Sequence, residues 1–462
     1  MTGEPNGRLP LTTILVFASS GIPVAALGVA LFVYLPPYFA SHLGISLTLI
    51  GTCWMVVRLL DLGVDLALGI VMDHTRTRFG RYRLWTAIGA PIFMLGTYTL
   101  FMAPAHFGAT YLIFWLLILY LGNSILSLAA SAWGAVLATD YNERSRFFGI
   151  LASIGVLAAI AVMALPILVA ALGHSNAEGT RAMGWAIILI TPFAVGLTIW
   201  RIPERIAPNV QTEHAGWRDY WAIAKRPELI RLVLAQMSLT LGPGWMSALY
   251  MFFFTQALGF TTSQASLLLI VYVLIGVVGA MATGRIAVLF GKHRTLIGMT
   301  TAYSIGLCSL LLVVPGNVWT ALPVMMWCGF MAAGFGLMIN AMMADVGDQV
   351  RLEQGKERIS LLYACLSLAA KFAAAFAIGF TFPLLARFGF NPAEGAVNTP
   401  EAIHNLLLAY LIGPVVFVML GGACVVGWKL DANKHAGIRA ALEARDALYG
   451  IPVITAVEDA AE

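Results

Sequence analysis

The sequence predicts an all-α polytopic membrane protein with twelve transmembrane helices. Three observations carry that prediction. The 462-residue chain is 60% hydrophobic and only 11% charged, whereas soluble domains carry about 25% charged residues. Its mean hydropathy is +0.85. Apolar runs of about 20 residues or more, enough to cross a bilayer, recur along nearly the whole length.

In order, the runs predict spans at 11–40, 45–72, 84–104, 108–139, 147–172, 182–200, 229–257, 262–288, 295–315, 318–346, 359–386 and 402–429. Pro23, Pro36 and Pro37 predict a kink or break in the first span. Runs longer than a bilayer needs predict helices that tilt, kink or continue beyond it. The longest polar segment between spans, 201–228, splits the chain six and six. The predicted units are therefore an N-terminal six-helix half at 1–200, a central cytoplasmic loop at 201–228, a C-terminal half at 229–429 and a cytoplasmic tail at 430–462.

The loops predict orientation. Of the 27 Lys and Arg residues, 23 fall at Arg8, in the even-numbered loops or in the tail, and only Arg181 and Arg387 lie in the opposite loops. The positive-inside rule then places both termini in the cytoplasm, in a plasma (bacterial inner) membrane. The net charge of +4 does not signal nucleic acid, because the basic residues sit in short loops. Met1 to Leu9 is polar and the first apolar run is too long for a signal peptide. The five cysteines lie in apolar runs without metal-ligand spacing, as packing residues do. No nucleotide-binding loop is present, and no cofactor or resident metal is expected.

Four charges fall well inside spans: Arg58, Asp61, Asp65 and Lys371. Charge at membrane depth costs several kcal/mol unless partnered, and usually marks an ion or substrate path. Asp61 and Asp65, four residues apart, share a helix face and can hold a cation, with Arg58 near the same face. A structural ion-pair network is the alternative, although buried pairs stabilise weakly. Lys371 would compete with an arriving H⁺ or Na⁺ for the acids. Tyr363, Ser367 and Lys371 form one stripe on span eleven. Ser124, Ser127 and Ser131 form another on span four, beside Asn123. With Trp133, these residues give the candidate substrate contacts Asn123, Ser127, Ser131, Trp133, Tyr363 and Ser367. No nucleophile–base pair or metal cluster appears at depth, which argues against an enzyme.

The loop after span two, Asp73 to Arg83, and the loop after span eight, Gly284 to Arg294, each combine a glycine with a basic cluster. Six plus six helices with this repeated turn resemble the plan of the major facilitator superfamily, whose substrate sites lie near the midplane. The stretch Asp61 to Trp85, Arg58 ahead of it, Asp140-Tyr-Asn-Glu143-Arg144, Met343 to Asp348, Gly355, Arg358, Tyr363 and Lys371-Phe-Ala together resemble the glycoside–pentoside–hexuronide:cation symporters, the melibiose permease family. The resemblance implies that Asp61 and Asp65 carry the coupling cation, that Ser124 helps them, and that Lys371 interacts with them; Lys371 is expected to link the cation to the substrate cavity, with Arg58 in the coupling set as a structural or pairing residue. It places the cytoplasmic gate at Asp73, Arg76, Gly80, Arg81, Asp140, Arg144, Asp345, Asp348 and Arg358.

The departures shape the expected substrate and cation. The acid that contacts sugar in span one of the galactoside branch is absent from 21–25, its span-four acid falls near Ser127, and an arginine is missing around Ala152. These losses point away from galactosides. Val64 replaces an amide often found between the acids, which favours H⁺ over Na⁺, a hard cation that wants several oxygens. The expected activity is symport of a small organic solute, a glycoside or sugar derivative, by alternating access. An amphipathic or lysolipid-like substrate is the rival, and a non-transporting receptor on the same fold is a second. The partners are the solute, the cation and the bilayer. A monomer is expected.

Overall fold

A computed structural model describes residues 9–75, 77, 79–137, 141–204, 225–354 and 359–448. The side chains of 73, 135, 141–145, 360, 432–433 and 446–448 lie outside that description. Most of the predicted central loop is likewise outside it.

The described residues are almost wholly helical. The first span is α1 (Leu11–Ser19), α2 (Ile22–Val29), a π-helical turn at Ala30–Tyr34, and α3 (Leu35–Ser41). The prolines account for the break, because Pro36 and Pro37 offer no N–H to the preceding turn. Then come α4 (Leu47–His74), α5 (Tyr82–Phe101), α6 (Ala109–Leu137), α7 (Tyr141–Ala171) and α8 (Asn176–Arg201). The later spans are α9 (Pro227–Phe252, closed by a π turn at Phe253–Ala257), α10 (Thr262–Phe290), α11 (Lys292–Cys308), α12 (Val318–Gln354), α13 (Ile359–Arg387) and α14 (Pro400–Ala423).

Ten helices of the described chain are long and apolar enough to cross a membrane by length and composition. The other two of the twelve, α4 and α9, are 28 and 26 residues long. They are the polar ones: α4 carries Arg58, Asp61 and Asp65, and α9 is diluted by Gln236, Ser238, Thr240 and Gly242-Pro243-Gly244.

Helix α12 runs to Gln354, eight residues past its predicted end. A further helix, α15 (Ala432–Leu448), stands where the sequence reading placed only a tail. Asp431 caps it, accepting from the Lys434 N–H at 2.9 Å. Ile438 and Leu442, one turn apart, are its buried side.

The first six spans pack mainly among themselves, as do the last six, and the two sets meet chiefly through α4 against α13 and α7 against α10. The α4–α13 seam is tight because glycines remove side chains from it. A Cβ on Gly51 would lie 2.7 Å from Pro383 Cδ, and one on Gly379 would overlap Met55. With little hydrophobic drive between helices in lipid, such close backbone approach is how they hold together.

Candidate functional site

Near the middle of α4, Arg58 and Asp61 pair with each other and Asp65 pairs with another helix. Asp61 is 3% exposed. It takes the Arg58 guanidinium at 3.2 Å and a hydrogen bond donated by the Ser124 hydroxyl of α6, also at 3.2 Å. The guanidinium lies over the Tyr120 ring at 4.7 Å and the Phe32 ring at 5.6 Å. Stacking of this kind holds a cation that has been taken out of water. Asp65, one turn further along, forms an ion pair with Lys371 of α13. The sequence grouped both acids on one face. The structure gives them different contacts: Asp61 is hydrogen-bonded within the first six helices, and Asp65 is ion-paired across the seam with Lys371 but has no hydrogen bond among the described residues. Two acids and two bases leave the layer neutral, which is what permits it at this depth.

The substrate candidates divide as well. Asn123 and Ser127 are half-buried on α6, on either side of Ser124. Tyr363 is half-buried and its hydroxyl donates to the Asn340 carbonyl at 2.9 Å. Ser131 and Ser367 are exposed. Trp133, the remaining substrate candidate, sits elsewhere. It is 1% exposed and packs edge-on against Phe17 at 5.6 Å, in a satellite core with Ile14, Tyr82, Phe147 and Ile202. Its bulk fills space between helices rather than lining a cavity.

At the end carrying the basic loops, two of the predicted gate turns are ordered by residues that the sequence reading did not single out. Glu204 accepts from the backbone N–H groups of Arg81 at 2.7 Å, Tyr82 at 2.9 Å and Arg83 at 3.1 Å, capping α5. Gly80 has φ +102° and a side chain there would collide with the Glu204 carboxylate. Arg81 also donates to the Met72 carbonyl at 2.6 Å. In the second set Asp345 takes Lys292 at 2.7 Å. His435 of α15 reaches Asp348 at 3.0 Å and Asp345 at 3.4 Å. The remaining gate residues, the Asp73 and Arg144 side chains and Arg76, Asp140 and Arg358, lie outside the described residues.

The opposite end is joined by a strap, residues 391–398 between α13 and α14. Glu394 accepts from His42 at 2.9 Å and from the Asn176 amide at 3.0 Å, and its own N–H donates to the Ser41 carbonyl. Asn398 donates to Gln256 at 2.7 Å. Arg181 donates to the Tyr38 hydroxyl at 3.0 Å. Burial pushes the His42 pKa below its ordinary value; nearby Arg181 adds to this, while Glu394 opposes it. None of these residues was singled out in the sequence. Their only signal was that Arg181 is one of two basic residues on that side. A separate cavity of about 590 Å³ lies between α7, α9, α10 and α12. Gln236 and Tyr272 are among its few polar walls; most are Ala, Val, Gly and Leu.

Residues 16–432 match the family described as MFS/sugar transport protein. The chain is 24% identical to the uncharacterized symporter YnaJ of Bacillus subtilis (strain 168), across 97% of this chain and 98% of that one. It is 24% identical to the isoprimeverose transporter of Lactiplantibacillus pentosus (86% and 84% covered) and 22% identical to a glucuronide carrier protein homolog of Escherichia coli K12 (88% and 89% covered). Among solved structures, a point mutant of the nucleoside transporter NupG superposes with a TM-score of 0.70 at 14% identity, covering 90% of this chain and all of that one. That likeness concerns the fold.

Proposed function

The chain belongs to the MFS/sugar transport protein family, a multi-pass membrane transporter, and from that premise we propose that it is a cation-coupled symporter of a small glycoside or sugar derivative, working by alternating access. The observation that carries this reading is the Asp65–Lys371 pair, which bridges α4 and α13 across the seam between the two helix sets. A cation that neutralises Asp65 removes the reason for Lys371 to stay. The pair is half-buried, so losing one partner costs less than the several kcal/mol of a fully buried pair, but Lys371 then moves to another anion or is hydrated, and the seam loosens. Asp61, already held by Arg58 and Ser124, stays with the first set and keeps the layer neutral.

In this reading residues 1–200 and 229–429 are the bodies that rock, 201–228 joins them, and 430–462 follows the second. The basic asymmetry puts the basic end and both termini in the cytoplasm, so the strap closes the outer side. H⁺ is the preferred coupling ion. The layer offers Asp61, Asp65 and Ser124 as oxygen ligands, few for Na⁺, whereas one carboxylate suffices for a proton. The carbohydrate carriers among the relatives support a glycoside. The apolar walls of the 590 Å³ cavity favour a second reading, an amphipathic or lysolipid-like substrate.

The test is uptake of isoprimeverose, a glucuronide and a lysolipid into proteoliposomes under an imposed pH or Na⁺ gradient. Proton-driven accumulation of a glycoside that is lost in Asp65→Asn supports the reading. Accumulation driven by Na⁺ alone overturns the proton assignment. Lysolipid uptake without glycoside uptake overturns the substrate assignment, and equal accumulation in Asp65→Asn removes the cation site.

A further inference from the structure

Where α10 ends and α11 begins, at the basic end, the chain walls a cavity of about 940 Å³. Two unlike surfaces meet in it. One is apolar and open: Val288, Leu289 and Phe290, the last residues of α10, line the cavity and are 85%, 76% and 62% exposed. The other is basic: Lys292, His293 and Arg294 line it on the next turn. Lys292 is neutralised by Asp345. His293 and Arg294 have no ion pair within 4 Å among the described residues, and Asp431 is the acid on their side of the cavity. Trp428, a largely buried indole beneath the Arg231 guanidinium, completes the wall. Indoles gather where the bilayer meets water.

We propose that this cavity binds an anionic phospholipid, with the headgroup phosphate against Arg294 and His293 and the upper acyl chain over Val288, Leu289 and Phe290. The ligand class follows from the pairing of surfaces. A free phosphate would use the basic turn and leave the three exposed apolar side chains unused. A zwitterionic lipid would cover the apolar side chains but bring no net charge to the basic turn. Basic pockets between transmembrane helices on the positive side are where anionic headgroups are held. The site lies apart from the charged layer of α4 and α13, so it stands whether or not the symport reading holds.

The experiment uses the full-length purified protein in neutral detergent. Thermal unfolding is followed while phosphatidylglycerol, phosphatidylcholine or inorganic phosphate is titrated in. A ligand bound only by the folded state raises Tm in a saturable way. Phosphatidylglycerol is expected to give a saturable rise larger than that from phosphatidylcholine. The exposed-site double variant His293→Gln/Arg294→Gln is expected to lose more than half of the difference. Arg285→Gln, an exposed basic residue of α10 that does not line the cavity, is expected to keep it. Equal rises with the two lipids overturn the proposal. So does a full phosphatidylglycerol effect in the double variant, or an equal loss in Arg285→Gln, which would make the attraction a general surface effect. A rise of the same size with inorganic phosphate alone would assign the cavity to a free anion instead.

Discussion

The two ends of the helix bundle are held in different ways. At the strap end the two helix sets are tied to each other: Glu394 spans His42 and Asn176, the Tyr34 hydroxyl reaches Ser266 at 2.9 Å, and the glycine seam of α4 and α13 closes beneath. At the basic end the networks around the gate turns each stay within one set. Glu204 ties α8 to α5, and Lys292, Asp345, Asp348 and His435 tie α11, α12 and α15. Asp65–Lys371 lies between the two regimes and is the deepest charged tie across the seam. Under the proposed cycle, opening the strap end would break bonds between the two helix sets, whereas the basic-end networks would leave each set's own bonds intact.

The sharpest way to break this comparison is to remove the middle tie. Asp65→Asn and Lys371→Ala are each expected to abolish or sharply lower accumulation, because either leaves one charge of the seam pair without its partner. The double variant should recover much of the thermal stability lost by Lys371→Ala, because no charge is left unpaired, while transport stays absent. Undiminished accumulation in either single variant would end the proposed role. Next in size is Gly379→Leu. Overpacking costs about 1–3 kcal/mol, enough to move a two-state balance roughly fivefold or more toward an open strap end. A cysteine introduced at Gln256 should then react faster with an impermeant thiol reagent. An unchanged rate would mean that the seam does not hold that end shut.

A smaller effect is expected at the stack over Arg58. Tyr120→Leu removes a cation–π contact of roughly 1–2 kcal/mol in a dry site, and the cation concentration for half-maximal uptake should rise severalfold. Tyr120→Phe keeps the ring and should stay near wild type. Equal damage from both would point to the hydroxyl instead. The smallest effect concerns His42. Its folded pKa lies below the ordinary value of about 6.5, so the folded, strapped state binds fewer protons than an open one between those two values. The strap therefore loses stability as the pH falls below about 6.5 and regains it above. Protection of the 391–398 amides, after correction for the intrinsic slowing of exchange at lower pH, should fall on acidification in the wild type and lose that pH dependence in His42→Gln.

Much of the bundle was legible in the sequence because bilayer thickness imposes span length and carboxylates are conspicuous among leucines. The twelve spans, the two acids and Lys371 were visible for that reason. The partner of each acid was not. Spacing puts Asp61 and Asp65 on one face, but only packing shows that α6 approaches one and α13 the other. The surroundings of Trp133 were not visible either, because an indole beside a serine stripe looks the same from sequence whether it lines a cavity or packs against Phe17. Glu204, His435 and the strap residues sit in loops or in α15, where no periodicity marks them and pairing is set by which loop folds over which.

The glycines of the α4–α13 seam have one more consequence. When an interface of interlocked side chains separates, its rotamers scatter and must be sorted again before it can close, an entropy of up to about 2 kcal/mol for each long side chain. Gly51 and Gly379 have no rotamers to scatter. At Gly51 backbone meets the flank of Pro383, which has no rotamers to scatter either, and at Gly379 only the Met55 side chain would have to be re-sorted if the proposed cycle parts the seam. Such a seam wears no groove: its thousandth closure meets the same contour as its first.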